Sequence, residues 1–522
     1  MNTTFLKVPP AYIILLLVLC CFAILRLDSI GLAYFGDEAM VYGPAVQQMA
    51  SNGPSMLPGA IQEDLSRGHP MMFHFTAGLF LFLFGNTVTN SHIFALLISL
   101  CTLFVVFKIS KEFLSDLYSV LVVISVASFP LFIGQSVMVY PEMMLTLFAL
   151  TTFYFYLKKK PIHFFISASF LLLTKETGIL FLFTLGVWNV VKSIFIEHKK
   201  ILSADFIKSQ LPFVYPLFPL ITFFILQNIK FGYVFYPEHI GFIKTNYETV
   251  EYMIGNLFRQ LFVYDYKHWI YFAFAFIFLL FYRKVNLKHR IIIAVLYYFQ
   301  YKMLFGEESH DSFLTIVTFI LSNILIFSVY LFAVKRNFTI QDELILVSFL
   351  FILIYVLFCV INFFTDRYLI VCLPFCLLIC FGLIGQLKYS KQIGIGFSTI
   401  ILFSNFYFLA TTQSNGETTP YYKNVLMVQQ EMVDYIESSC SNGDTIYCEF
   451  PHFVALNNKS AGFKRHDIWF NIKVDSTLQY NYWVTDNFCG QNYYKTIENR
   501  KDLKLLKEFK HGNAELRVYS GF

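Results

Sequence analysis

Long apolar runs recur between residues 9 and 410, separated by short clusters of lysine and arginine, and they constrain the fold more than any other feature. Of the 522 residues, 57% are hydrophobic and 63 are phenylalanine. One soluble core cannot bury so many runs of bilayer length, so the pattern predicts a polytopic α-helical membrane protein. The first run, 9–27, is too long for a signal-peptide core and lacks a clear small-residue cleavage site, so we interpret it as a retained span.

The basic clusters predict the topology, because lysine and arginine concentrate in cytoplasmic loops. They lie at 108–111, 158–160, 192–200, 283–290, 335–336 and 388–391. Each interval between clusters has room for an exit and a return, as in 118–136 with 142–157 and in 343–364 with 368–386, which gives about thirteen spans from an inside N terminus. We interpret the apolar stretch 71–84, which would break this parity, as a juxtamembrane or re-entrant helix. The net charge of +5 is then a topology signal, and no nucleic-acid partner is expected.

The chain divides into two predicted domains. Residues 1–410 form the membrane domain, with a first outer loop over 28–89, and the odd number of spans places 411–522 outside. The tail is polar, with helical spacing over 422–440 and strand-like "TIYCEF", "YNYWVTD" and "AELRVYS". We therefore expect a small extracytoplasmic α/β domain at the C terminus.

Two adjacent acids, Asp37 and Glu38, follow the first apolar run in "YFGDEAMVYG". Neighbouring residues of a helix do not share a face, so the two carboxylates have different roles. One faces a reacting group, and the other orients it or holds a base or a metal. The alternative is that Asp37 only caps the helix that begins there.

Further ionisable residues fall on the same predicted outer face. Glu142 follows Pro141 at a helix start, where the macrodipole alone also favours an acid. Lys175 and Glu176 form the bend of a short hairpin, where a simple ion pair is the alternative to a functional pair within the membrane depth. Arg367 and Tyr368 lie in "TDRYLI", either as a phosphate ligand or as an interfacial anchor. His69 and Arg259 lie in outer loops.

Cations and carboxylates on one face, close to lipid, suit a lipid-linked anionic substrate. The cations bind a phosphate, and a carboxylate activates a hydroxyl or amine acceptor. Glu38, His69 and Glu142 are residue types that bind divalent cations, but their spacing is no metal motif, so no cofactor is assigned.

Six stretches of the chain resemble a known family. They are "FGDEAMVYGPAVQQMASNG", "GHPMMFHFTAGLFLFLFGNT", "YPEMMLTLFALTTFYFYLKKK", "LLTKETGILFL", "FGYVFYPEH" and "TDRYLIVCLP". In order and spacing they resemble the GT-C membrane glycosyltransferases of the protein-mannosyltransferase and aminoarabinose-transferase type, over roughly residues 1–410. The Asp-Glu pair after the first span is the most specific element.

The resemblance implies a polyprenyl-phosphate sugar donor, chemistry on the extracytoplasmic face and a bacterial inner-membrane location. The resemblance makes Asp37 the base or base-organiser, and Glu38 matches the second acid of the family's pair. Glu142 stands where the family has an aspartate, so its side chain is one methylene longer than the family's. His69 matches a position that contacts phosphate or acceptor, and Lys175 and Arg367 match bases near the donor phosphate.

The expected reaction is transfer of the sugar to a protein or glycolipid acceptor by one inverting displacement, with Arg367, Lys175 or Arg259 stabilising the leaving phosphate. A transporter or flippase of lipid-linked sugar is the main alternative, and it would show helices broken at mid-membrane and internal repeats. A polysaccharide polymerase or ligase, and a purely structural scaffold, are further alternatives that explain the Asp-Glu loop less well.

Overall fold

A computed structural model describes residues 9–201, 203–305, 311–412, 414–441, 443–463, 471–473, 480–488, 500 and 502–521. Each predicted apolar run forms a helix or a pair of helices in it. The helices of the N-terminal half are α1 (Pro10–Arg26), α2 (Gly43–Asn52), α3 (Glu63–Ser66), α4 (Met72–Phe84), α5 (Val88–Ser110), α6 (Asp116–Ser128), α7 (Pro130–Gln135), α8 (Pro141–Leu157), α9 (Pro161–Thr174), α10 (Ile179–Phe195), α11 (Ala204–Val214), α12 (Leu217–Phe231) and α13 (Pro237–Ile240).

The second half continues the bundle and then changes to a mixed domain. Its helices are α14 (Tyr247–Phe262), α15 (Lys267–Phe281), α16 (Leu287–Phe305), α17 (Ser312–Val334), α18 (Ile340–Ile361), α19 (Leu373–Gly385), α20 (Ser390–Thr411), α21 (Tyr422–Ser439) and α22 (His452–Asn457). Its strands are β1 (Thr445–Tyr447), β2 (Asn471–Lys473), β3 (Tyr482–Asp486), β4 (Lys504–His511) and β5 (Ala514–Ser520).

The chain is a helical integral membrane protein, but the predicted number of spans is not confirmed. Among the described residues, six helices are long and apolar enough to cross a bilayer, and the bent pair α11–α12 makes a seventh if it counts as one span. Five further apolar helices are shorter, α4 among them. At 13 residues α4 reaches only about 20 Å, so it is too short to span. This length agrees with the interpretation of 71–84 as a juxtamembrane or re-entrant segment.

Proline explains where the structure departs from the predicted spans. The run 118–136 is not one helix, because Pro130 opens a new helix and leaves Phe129 extended. The run 368–386 begins with a 3₁₀ turn over Asp366–Val371, and α19 starts only after it. Both breaks occur beside the polar cluster described below.

The basic clusters meet at one end of the bundle, hereafter the basic end. Lys158 pairs with Glu112 at 3.0 Å, and Lys192 pairs with Glu343 at 2.7 Å. Lys284 pairs with Asp342, which also completes a capping box at the start of α18. The convergence of these clusters agrees with the topology predicted from them.

Residues 28–89, hereafter the first outer segment after the predicted topology, pack as a helical layer at the end opposite the basic end. A Cβ on Gly78 of α4 would lie 2.4 Å from Cγ of Met49 in α2, so the two helices touch through a glycine.

The described part of the C-terminal domain holds a mixed sheet in the order β2-β1-β3-β5-β4. β1 is parallel to β2 and β3, whereas β5 is antiparallel to β3 and β4. The predicted helix and three predicted strands are present. β4 was not predicted, because it is a lysine-rich edge strand without clear alternation.

The C-terminal domain is docked on the first outer segment. The backbone N–H of Tyr34 donates to the carbonyl of Ala461 at 2.9 Å. The side-chain amide of Asn458 donates to the carbonyl of Ala39 at 3.2 Å, and that of Gln47 donates to the carbonyl of Ser460 at 3.3 Å. The domain therefore contacts the backbone that carries Asp37 and Glu38.

The close approach of α2 and α4 gives a test of the outer layer. We expect Gly78→Ala to destabilise the protein by about 1–3 kcal/mol, because Met49 and the α2 backbone leave no room for the added methyl group. Thermal unfolding in detergent measures the change. Gly396→Ala in α20 is the matched control, since a Cβ there meets no atom within 4 Å. A Gly78→Ala protein as stable as the control would contradict this packing.

Candidate active site

Asp37 lies on the connection between α1 and α2, directly before a π-helical turn over Glu38–Tyr42. Gly36, with a φ of +56°, supplies the left-handed turn that precedes it. The Asp37 carboxylate makes no capping hydrogen bond. Its Oδ2 instead accepts from Nη2 of Arg367 at 2.8 Å, and the side chain is 37% exposed. The capping alternative is therefore wrong.

Glu38 is buried and all its hydrogen bonds are internal. Its Oε1 accepts from the backbone N–H of Val139 at 2.7 Å and contacts Nε2 of His92 at 3.1 Å. Its Oε2 accepts from the backbone N–H of Phe35 at 3.1 Å. The two acids have different partners, and their different roles stay a prediction. Glu38 links the loop to α5 and to the start of α8, an arrangement that suits positioning rather than a direct chemical role.

Glu142 and Lys175 form a buried ion pair at the ends of a helical hairpin. Nζ of Lys175 lies 2.9 Å from Oε1 of Glu142, and both side chains are at most 6% exposed. Glu142 is in the first turn of α8 and Lys175 directly follows α9. Lys175 also lies 4.3 Å from the centre of the Tyr368 ring, a cation–π contact. Oε2 of Glu142 has no partner among the described residues.

Glu176 does not pair with its neighbour Lys175, so the simple ion pair considered from the sequence is not formed. Its Oε2 lies 2.8 Å from Nδ1 of His69, whose ring stands 5.1 Å from the ring of His239. Burial, together with the nearby His69, lowers the pKa of His239 to about 4. His239 is therefore neutral at physiological pH.

Arg367 joins the first outer segment to the linker before the C-terminal domain. It is buried in the 3₁₀ turn that precedes α19. Nη2 donates to Asp37, and Nη1 lies 3.1 and 3.2 Å from the two carboxylate oxygens of Glu417. The guanidinium carbon is 4.5 Å from the centre of the Tyr140 ring. These contacts exclude the alternative of an interfacial anchor facing lipid.

Sequence reasoning missed Glu417 and His92. Glu417 stands just after the last apolar helix, as Asp37 stands after the first, and that position was the available signal. Burial raises the pKa of Glu417, although Arg367 opposes this shift. His92 is a polar residue in the first turns of α5, where a contact other than lipid is needed.

Arg259 does not join the cluster. It lies near the end of α14, and its guanidinium contacts the Phe305 ring at 4.6 Å. The expectation that it stabilises the donor phosphate is therefore not supported by its position. The prediction of a loop position for Arg259 is wrong, because the residue lies within α14, and the sequence could not specify which face of that helix would meet the bundle.

The charges of the assembled site are unequal. Hereafter the acid–base cluster comprises Asp37, Glu38, Glu142, Lys175, Glu176, Arg367 and Glu417, which are five carboxylates and only two permanent cations. Among the described residues, no group of three or more His, Cys, Asp or Glu is arranged to hold a metal ion. Nothing in the cluster therefore assigns a divalent cation.

An apolar cavity of about 600 Å³ opens between α9 and α12, with Tyr215 of the α11–α12 connection in its wall. Its lining includes Met56 of the first outer segment, Leu173 and Phe223. Leu173, in the cavity wall, stands two residues before Lys175 in the chain.

Residues 68–214 match the family model of dolichyl-phosphate-mannose-protein mannosyltransferase. The resemblance to GT-C glycosyltransferases is confirmed by this match, and the matched segment carries His69, Glu142 and Lys175. A sequence search among curated proteins gave no match.

Two crystal structures of ArnT from Cupriavidus metallidurans are similar to the chain. The structure bound to undecaprenyl phosphate aligns with a TM-score of 0.45 and 12% identity over 97% of each chain. The apo structure aligns with a TM-score of 0.43 and 10% identity over 96% of this chain and 97% of ArnT.

The buried pair gives a test of the cluster's energetics. We expect Glu142→Gln to lower the free energy of unfolding by about 3–5 kcal/mol, because it leaves the Lys175 ammonium buried without its counter-ion. The double variant Glu142→Gln/Lys175→Met should recover most of the loss, since neither charge then remains. Chemical unfolding in detergent measures both.

Glu112→Gln is the matched control, because it breaks a more exposed pair at the basic end and should change the free energy by less than about 1 kcal/mol. Equal losses for Glu142→Gln and Glu112→Gln would contradict the assignment of a buried, mutually dependent pair.

Proposed function

We propose that the chain is a glycosyltransferase that moves a sugar from a polyprenyl-phosphate donor to a protein or glycolipid acceptor. The carrying observation is that Arg367, a buried cation, holds a partly exposed carboxylate, Asp37, at the end of the bundle opposite the lysine clusters. The matched family model, whose description names a dolichyl-phosphate-mannose donor, supports this class of donor.

The reaction needs a group that handles the proton of the acceptor. Among the carboxylates paired in the acid–base cluster, Asp37 has the most exposed side chain, and Glu142 is fully enclosed. Asp37 accepts the proton of the acceptor hydroxyl or amine as its oxygen or nitrogen attacks the anomeric carbon. The bond from that carbon to the phosphate oxygen breaks, and its electron pair leaves with the lipid phosphate. One displacement of this kind inverts the anomeric configuration.

The cations stabilise the charge that develops on the leaving phosphate. Arg367 supplies a planar fork of donors, and Lys175 supplies a buried point charge beside Tyr368. Glu38 and His92 hold the loop that bears Asp37 in place. His69 and Glu176 lie beside Lys175 and complete a polar wall on the acceptor or phosphate side.

The donor's lipid chain belongs in apolar surroundings near that phosphate. The cavity lined by Met56, Leu173 and Phe223 offers such a surface, and Leu173 lies two residues before Lys175 in the chain. We place this end of the bundle and residues 411–522 on the extracytoplasmic side of a bacterial inner membrane, because the lysine clusters gather at the other end.

The proposal predicts that Asp37→Asn lowers transfer by about 10²–10⁴-fold, since the neutral amide cannot accept the acceptor's proton. Mass spectrometry of the host's glycoproteins and glycolipids, compared at equal membrane abundance, detects the loss and identifies the sugar and its acceptor by mass. The matched control is Asp64→Asn, which removes an exposed acid of the same outer segment.

A glycan that disappears on gene deletion but persists with Asp37→Asn would remove Asp37 from the chemistry. If deletion itself alters no glycan but causes a lipid-linked sugar to accumulate on the cytoplasmic leaflet, the transporter or flippase alternative would replace the transferase.

A further inference from the structure

We propose that the Glu417 carboxylate occupies, in the free protein, the position on Arg367 that the donor's phosphate takes, so that Glu417 must leave Arg367 when the donor binds. This inference rests on the proposed function and extends it to a residue outside the membrane domain. It makes Glu417 a gating residue rather than a catalytic one.

The first argument is that carboxylates already face both terminal nitrogens of Arg367. Its Nη1 faces both oxygens of Glu417 at 3.1 and 3.2 Å, and its Nη2 donates to Asp37 at 2.8 Å. The face of the guanidinium is covered by Tyr140 at 4.5 Å. Nε has no partner, but it is fully buried. A phosphate that takes the Nη1 donors must therefore replace the Glu417 carboxylate that now faces them.

The second argument is charge. The acid–base cluster already holds more carboxylates than permanent cations. Adding a phosphate to a buried site with that excess is unfavourable, because like charges repel strongly where water is scarce. Exchange of one carboxylate for the phosphate keeps the local balance on Arg367 unchanged.

The third argument identifies which carboxylate leaves. Glu142 is enclosed with Lys175, and Asp37 sits on a turn that Glu38 holds through three hydrogen bonds. Glu417 lies on the linker between α20 and α21, and Arg367 is the partner that the described structure gives its carboxylate. Its side chain is 20% exposed, so a path to water exists.

The linker backbone is fixed while the side chain can turn. The Gln135 side-chain amide donates to the Glu417 carbonyl at 2.7 Å. A Cβ on Gly134 would lie 2.9–3.1 Å from the backbone of residues 417–419, so α7 and the linker are in close contact. A change of the Glu417 rotamer therefore frees Arg367 without displacing the chain.

The test is binding of a short-chain polyprenyl phosphate to the purified full chain in lipid nanodiscs, measured by calorimetry. Removing the competing anion with Glu417→Gln should tighten binding at least about tenfold, which corresponds to about 1.4 kcal/mol. Arg367→Gln should abolish binding. Asp28→Asn is the matched control, because it removes one acid from an ion pair with Lys423 near the same linker but away from Arg367, and it should bind as wild type does.

A gain in affinity cannot come from damage to the fold, so it separates gating from a structural role. If wild type binds in an Arg367-dependent way and Glu417→Gln binds no more tightly, gating by Glu417 is wrong and the proposed function stands. An equal gain in Asp28→Asn would also overturn it, as would binding to Arg367→Gln that equals wild type. If neither wild type nor Glu417→Gln binds the phosphate, both the gate and the proposed donor class are wrong.

Discussion

The side chain of Arg367 is the interaction on which the rest of the site depends. It is enclosed in protein, yet it carries a permanent charge, so it needs anionic partners to offset the loss of water. Asp37 comes from the turn after α1, and Glu417 comes from the linker after α20. One guanidinium thus joins the start of the membrane domain to the linker that follows its last helix, and it stacks on Tyr140 at the start of α8. Removal of Arg367 would leave two carboxylates facing each other without a cation.

Much of the fold was predictable because helices in a bilayer require long apolar runs, and the loops between them carry characteristic basic clusters. Every predicted apolar run is helical, and the lysine clusters meet at one end, as Lys158 and Lys192 show. The number of spans was not predictable in the same way. Helix length depends on local breaks, and Pro130 divides a run that composition alone treats as continuous. The edge strand β4 was also missed, because its exposed lysines hide the alternation that marks a buried strand.

The candidate site was also predictable only in part. Asp37, Glu142, Lys175 and Arg367 were predictable, because an ionisable residue at the end of an apolar helix needs a reason to be there. The pairing of these residues was not predictable, because tertiary packing places Lys175 against Glu142 and not against its sequence neighbour Glu176. Arg259 was predicted on loop membership alone, and its position on α14 turns it toward Phe305. Glu417 was missed because it lies in a polar linker of ordinary composition, and the sequence does not show that Arg367 contacts it.

The distance along the chain between the members of the cluster has a consequence for biosynthesis. Asp37 and Arg367 are separated by 330 positions, and Glu417 and the segment around Asn458 arrive later still. During translation, Asp37 emerges long before the cation that neutralises it. A chain stopped at any helix before α19 carries the acids without Arg367, and one stopped before the linker lacks the Glu417 contact. The site therefore forms only late in synthesis, and partly made or truncated chains in the membrane lack it.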